Sequence, residues 1–569
     1  MEPVEKPQPA ILRGVFFWTL AALSLFSLLG ATLLYAAEAR YAEAVREMFL
    51  SGNWLVPTFN GVTLSPRPLL MHWMMLGSCT LSGVCNEFSL RLPSVLAGLL
   101  TLFAVRRMGT KLFSLECGRT ASYLLLGCFG FLFWSRSATA EMWNTCVIAL
   151  GMMWFYELRE NPGFWNLFTL ALFFLLGTLF KRIYAAMALG VLLLPALLEP
   201  AFLRRLKIQK LLPALLLALA LFGFLKYVLS GSVCGMLRSL SDGVTWDGEK
   251  FFRRPFFYFR ELPMPLMPWT LVLLLCPAGM LRNWKKQSKA THQLLCGMLL
   301  TLIVLAALPW TQEYYALGLL IPLTLCSAAA LVNNEGMPKW NNFSLSLMRF
   351  LVTMVASAAV VSLIFLPFWK IILGYNPPRF MLISVFLTGV VSLGIVLHAE
   401  FDTKKIAEAL TGMRQNIAVT ILAADLLCCG FTAVIQPQYY LTWTERKFLT
   451  EVHTRLADIP SSRIVYWGNP ALRFLFYFDR PDKLNATHSS AELKALWEAS
   501  PDGLWLLTRN TPEEMEQLTK GLKKQDIPFH PENPVLQEKL RAIDEVDAAK
   551  FSLFKLERET PGTSRKAGL

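Results

Sequence analysis

The sequence predicts an all-α polytopic membrane domain followed by a small α/β domain, and three observations predict it. Hydrophobic residues make up 54% of the 569 and charged residues only 17%, a balance that a soluble chain of this length does not carry. Apolar stretches of about 20 residues, the length that spans a bilayer, recur from Val15 to Gln436. From Pro437 onward charge becomes frequent, and short β-like runs alternate with helical ones.

Thirteen candidate spans follow in order: 14–36, 90–105, 119–135, 142–157, 164–180, 183–199, 211–230, 263–281, 292–308, 315–333, 349–371, 379–398 and 416–436. Lys6 and Arg13 precede the first, which is too long for a signal peptide and lacks a small-residue cleavage site before Glu38. It reads as an uncleaved helix. The membrane domain is therefore 1–436, with a first loop over 37–89.

With the N-terminus inside, the inner loops collect Arg106, Arg107 and Lys111, then Arg204, Arg205, Lys207 and Lys210, then Arg282, Lys285, Lys286 and Lys289. That matches the retention of Lys and Arg on the cytoplasmic side. An odd number of spans leaves the C-terminal region outside. Three outer segments carry basic residues against this rule: Arg40 to Arg67, Lys181-Arg182, and Arg238 to Arg260. An anionic ligand at the outer face is an economical reason for them. The formal charge of +14 is thus spread through loops, and no soluble basic domain exists to bind nucleic acid.

In the region 437–556, Ile464 to Trp467 and Leu504 to Leu507 read as strands. Ala491 to Ala499 and Pro512 to Leu522 read as helices. Residues 557–569 have the composition of a disordered tail. Asn485-Ala-Thr487 is a glycosylation sequon by pattern alone, and Asp425, inside the last span, is expected to have a structural partner. The 11 cysteines form no CxxC pair and the 6 histidines have no metal-ligand spacing, so no metal site is expected. Most cysteines lie in apolar runs and read as small hydrophobes. Cys79 and Cys85 share the first loop, where a disulfide is one possibility.

The first loop concentrates charge, Trp, Pro and Gly where a membrane helix has just ended. Charged groups set against a bilayer usually mark chemistry, because burying them is costly. The loop reads Ala37-Glu38-Ala39-Arg40-Tyr41-Ala42-Glu43, Arg46-Glu47-Met48, Gly52-Asn53-Trp54-Leu55-Val56-Pro57, Asn60-Gly61, Pro66-Arg67-Pro68, Trp73 and Arg91-Leu92-Pro93. It resembles the first exoplasmic loop of the polyprenyl-phosphate-sugar-dependent glycosyltransferases, the family of bacterial aminoarabinose lipid A transferases and protein O-mannosyltransferases. Ser135 to Glu141, Phe180-Lys181-Arg182, Arg253 to Tyr258 with Pro268-Trp269, Glu313-Tyr314-Tyr315 and Tyr466 to Pro481 resemble its later motifs.

The resemblance implies the GT-C fold, with amphipathic juxtamembrane helices in the first loop and an exoplasmic α/β domain. It implies transfer of a sugar from a polyprenyl phosphate to a lipid A, glycan or protein acceptor at the outer face of a bacterial inner membrane, with membrane lipid around the chain and no cofactor. Cations must hold the leaving phosphate, and a carboxylate must accept the proton of the acceptor hydroxyl. Inversion needs base and leaving group on opposite faces of the sugar. Arg67, Lys181, Arg238 and Tyr315 are the expected phosphate ligands, Arg40 and Tyr41 further binding residues of the loop, and Glu38 and Glu141 the expected catalytic carboxylates. Val45, Met48, Phe49 and Trp54 are expected towards lipid.

The chain departs from the family in three places. Ala37 stands where the family has its expected catalytic Asp, Pro66 where it has Glu, and the Lys of its Lys-x-Pro-x-Tyr is missing. Three readings follow: Glu38 takes over the role, the enzyme works differently, or the chain is a non-catalytic subunit that binds a lipid phosphate. A transporter is the remaining class. Transporters place unusual charges near the midplane and often show inverted repeats, whereas here the charges gather at the outer edge and no repeat is visible.

Overall fold

The computed structural model describes residues 7–32, 34–63, 69–160, 162–180, 184–230, 257–258, 260–307, 312–333, 338–361, 379–397, 403–432, 452–468, 470, 472–508, 523–527 and 552–557. The chain divides into two compact units. The first comprises Met1–Ala31, Ser65–Phe365 and Arg379–Gln438, and the second Thr32–Leu64, Leu366–Pro378 and Tyr439–Leu569.

The first unit is built of helices. Four of them, Glu87–Leu112, Lys289–Ala307, Tyr314–Asn333 and Pro338–Val361, are long and apolar enough to cross a membrane. Shorter apolar helices accompany them, among them Phe164–Phe180, Tyr184–Leu197, Thr270–Arg282 and Gln415–Gly430. The Glu87–Leu112 helix packs against both Leu115–Leu126 and Glu141–Leu158. Helix approach without a hydrophobic drive between helices depends on small residues, and this chain uses them. A Cβ placed on Gly109 would lie 2.8 Å from the Gly118 Cα, and one on Gly297 would lie 2.3 Å from the Leu192 carbonyl oxygen.

Two expected spans are shorter than read. The helix begun at Pro7 ends at Phe26, and turn residues follow it. The reason is polar. Arg136 donates from Nη1 to the Ser24 and Leu25 carbonyls, at 2.8 and 3.1 Å, and from Nη2 to the Ser27 carbonyl at 2.7 Å. Arg91 donates to the Leu29 carbonyl at 2.8 Å. The last carbonyls of a helix have no partner within it, and here two guanidinium groups supply one. The expected span over 119–135 is two helices, Leu115–Leu126 and Phe129–Ser135, broken at Gly127-Cys128. A Cβ on Gly127 would lie 2.0 Å from the Asp425 Oδ1 and 2.6 Å from the Trp269 Nε1, so fully buried Asp425 and Trp269 close over this break. Cys79 and Cys85 are thiols with their sulfurs 3.2 Å apart.

The second unit carries a five-stranded sheet. Here β1 is Thr58–Phe59, β2 Val62–Thr63, β3 Ile464–Trp467, β4 Asn485–Thr487, β5 Leu504–Thr508, β6 Lys523–Ile527 and β7 Ser552–Glu557. The sheet order is β4-β3-β5-β7-β6, with β3 parallel to β4 and β5, and β7 antiparallel to β5 and β6. Alternation along β3 divides the core, since successive side chains point to opposite faces. Ile464 and Tyr466 join Phe474, Leu475 and Phe478 of the Leu472–Phe478 helix. Val465 joins Leu493 of the Ser490–Ala499 helix. The helix expected over Pro512 to Leu522 lies outside the described residues.

The Ala36–Ser51 helix also belongs to the second unit and packs against Leu472–Phe478. This corrects the expected lipid-facing stripe: Val45 and Met48 are buried, Phe49 is half-buried, and only Trp54 of the four is exposed. Their partners are protein side chains, which the loop sequence alone does not name.

Candidate functional site

Glu141 opens the Glu141–Leu158 helix of the first unit and is buried. A carboxylate in the first turn is favoured by the helix dipole. Asn144 lies one turn further on, and residues three apart share a helix face. Its side-chain nitrogen and oxygen are both buried and have no hydrogen-bond partner among the described residues. An unsatisfied buried amide costs about 1–3 kcal/mol, which a bound polar group would relieve. Asn144 escaped sequence reasoning, although its i+3 spacing from Glu141 is visible there.

Aromatic residues gather in the same unit. The helix carrying Glu141 packs against the 3-10 segment Glu313–Leu319. Tyr315 is buried in that segment, its ring stacked on Tyr184 at 4.3 Å. The Tyr184 hydroxyl donates to the Tyr315 carbonyl at 2.5 Å. Tyr314 meets both Tyr315 and Trp134 edge-on. Trp143 stacks on Phe180 at 5.3 Å, at the end of the Phe164–Phe180 helix. Lys181, next in sequence, lies outside the described residues, as do Arg67 and Arg238.

The first-loop motif falls in the second unit. Glu38 is buried at the third position of the Ala36–Ser51 helix and accepts the Tyr35 backbone N–H at 3.1 Å, closing a capping box. Ala37, the residue at the family's Asp position, is exposed, as is Arg40, while Tyr41 is half-buried. One turn along, Arg46 donates twice to the Glu43 carboxylate, at 2.8 and 2.9 Å, and also to Asp479 and the Arg480 carbonyl. Burial pushes the Glu43 carboxyl up to about 7, against the pull of that guanidinium. Glu47 accepts from the Thr58 hydroxyl and from the backbone N–H groups of Asn60 and Gly61. These two residues have φ of +49° and +71°, the pair of left-handed conformations that a tight hairpin turn between β1 and β2 requires. Much of the loop's charge therefore builds the loop itself.

Among the described residues no group of three or more His, Cys, Asp or Glu is placed to hold a metal ion.

A sequence profile of the family described as dolichyl-phosphate-mannose-protein mannosyltransferase matches residues 66–228. An undecaprenyl phosphate-α-4-amino-4-deoxy-L-arabinose arabinosyl transferase of Shewanella sediminis is 46% identical over 68 residues, 12% of each chain. A protein of the same description from Pseudomonas fluorescens is 25% identical over 461 residues, covering 74% of each chain. The crystal structure of ArnT from Cupriavidus metallidurans in the apo state superposes with a TM-score of 0.69 at 14% identity, covering 96% of this chain and 98% of that one. The same protein bound to undecaprenyl phosphate gives 0.66 at 14% identity, covering 95% and 97%. The fold is shared almost end to end.

Proposed function

We propose that this chain, which belongs to the polyprenyl-phosphate-sugar-dependent membrane glycosyltransferases of the GT-C fold, moves a sugar from a polyprenyl phosphate to lipid A. The observation that carries the reading is the match to an aminoarabinose transferase over 461 residues, on a fold shared over 96% of the chain. In the reaction the acceptor hydroxyl oxygen attacks the anomeric carbon. The carbon–oxygen bond to the carrier phosphate breaks, the polyprenyl phosphate leaves with the electron pair, and a carboxylate takes the hydroxyl proton.

Arg67, Lys181, Arg238 and Tyr315 are the proposed phosphate ligands, with Arg40 and Tyr41 as further binding residues of the first loop. Glu38 and Glu141 are the proposed carboxylates. Burial of Glu141 beside an amide with unmet hydrogen bonds supports its assignment. The cap on Glu38 occupies one of its oxygens and orients the group. The proposed setting is a bacterial inner membrane, with about thirteen spans over 1–436, a periplasmic α/β domain over 437–556 and a tail over 557–569, whose first residue, Glu557, closes β7. A glycan or protein hydroxyl is the alternative acceptor.

Ala37, exposed where the family carries its Asp, favours a second reading: a homologue that binds the lipid phosphate without transferring sugar. A transfer assay in membranes, with a pool of radiolabelled polyprenyl-phosphate sugars, separates the two. Wild type is expected to transfer label, and Glu38→Gln or Glu141→Gln to lower the rate by about 10²–10⁴-fold, the usual worth of a general base. Carrier binding without transfer by wild type would establish the second reading. Full rates in both variants would remove both carboxylates from the mechanism.

A further inference from the structure

The Glu87–Leu112 helix has 26 residues, about 39 Å at the usual helical rise, against a hydrocarbon core of about 30 Å. A helix longer than the core has an end at headgroup depth, and the basic residues of its last turns mark that end. There Arg106, Arg107 and Lys111 line a cavity of about 430 Å³, together with Glu157, Trp18 and Phe103. The lining carries three cations and one carboxylate.

The three cations are not equally engaged. Arg107 is paired with Glu157 at 2.5 Å. Lys111 is exposed as a residue, and its ammonium lies 3.9 Å from Glu160, a loose contact. Arg106 sits with its guanidinium carbon 4.7 Å from the centre of the Phe17 ring. Its Nη1 is buried and has no acceptor among the described residues. The preference for basic residues at cytoplasmic helix ends accounts for the charges. It does not account for a cavity, nor for a buried guanidinium nitrogen lacking an acceptor, which is costly. Apolar surface flanks the cleft, with Phe103 45% exposed and Trp18 half-buried. Trp is the side chain enriched at this depth.

We propose that this cavity binds the phosphate headgroup of an anionic membrane lipid. Arg106 and Lys111 donate to the phosphate oxygens, and Trp18 and Phe103 lie along the glycerol end of the acyl chains. Guanidinium and ammonium groups are the common phosphate donors, and headgroup depth makes the phosphate of a lipid the occupant at hand. The site is separate from the proposed transfer site. Glu157 lies sixteen residues beyond Glu141 on one helix, about 24 Å away.

The test is native mass spectrometry of the full-length chain, purified in detergent and incubated with phosphatidylglycerol or phosphatidylethanolamine. Phosphatidylglycerol is expected to be retained at least 10-fold more, and the Arg106→Gln/Lys111→Gln double variant to fall to the phosphatidylethanolamine level. Glu157→Gln, which frees Arg107, is expected to raise retention. Should the double variant lose its melting transition, exposed Lys111→Gln alone carries the test, with a several-fold loss expected. Equal retention of the two lipids, or unchanged retention in a folded variant, overturns the proposal. So does complete displacement by an equal concentration of inorganic phosphate, which would make the site one for the free anion.

Discussion

Asn60 and Leu484, 424 residues apart, exchange two hydrogen bonds: Asn60 Nδ2 donates to the Leu484 carbonyl at 2.9 Å, and the Leu484 N–H donates to Asn60 Oδ1 at 2.7 Å. The side-chain amide mimics a strand neighbour. Asn also tolerates the positive φ that this turn imposes. Asn60→Ala is expected to remove both bonds, at about 1 kcal/mol each, and Asn60→Asp to remove the donor only. The apparent melting temperature of the detergent-solubilised chain should therefore rank wild type above Asn60→Asp and both above Asn60→Ala.

Glu43 predicts a pH dependence. Its folded pKa is raised from 4.5 to about 7 by burial, so between those values the folded chain holds a proton that the unfolded chain has released. The stabilisation is complete below about pH 4.5 and is lost as pH rises through about 7. A shift of this size corresponds to at most about 3 kcal/mol. Melting followed from pH 5 to pH 8 should show wild type losing stability and Glu43→Gln losing less. Parallel curves would refute the assignment.

Arg136 predicts a stability effect at the end of the first helix. Its bonds to the Ser24, Leu25 and Ser27 carbonyls are charge-assisted, the stronger class. Arg136→Met is expected to cost about 3 kcal/mol or more, because hydrogen bonds to charged groups are worth about 1.5–3 kcal/mol each. Arg136→Lys should recover only part, since an ammonium lacks the planar fork. Proteolysis of the 27–32 turn in membranes would report the loosened end directly.

The Cys79 and Cys85 sulfurs, 3.2 Å apart, need only a small movement to reach a bond of about 2.05 Å. An aromatic disulfide reagent is expected to join them: two thiols lose two protons and two electrons, and the reagent is reduced to two thiols. Alkylation of the unfolded chain, after oxidation and removal of the reagent, should then spare this pair in wild type, while in Cys85→Ser the Cys79 thiol, buried in the folded chain, takes the label. Labelling of both after oxidation would contradict the geometry.

The residues themselves dictated the class of this protein. Apolar runs long enough to span a bilayer, the change of composition at Pro437, and the strands around Ile464 and Leu504 follow from local hydrophobic patterning, which one sequence carries. The first-loop motif likewise carries a family resemblance, because short fixed spacings survive in sequence. The tertiary structure decided what those motif residues do. Arg91 and Arg136 close the end of the Pro7–Phe26 helix, Arg46 and Asn60 hold segments more than 400 residues away, and Val45 and Met48 turn inward. Each outcome rests on a partner distant in sequence. A buried guanidinium or amide must find its acceptor wherever the fold brings one, and local pattern holds no record of that meeting.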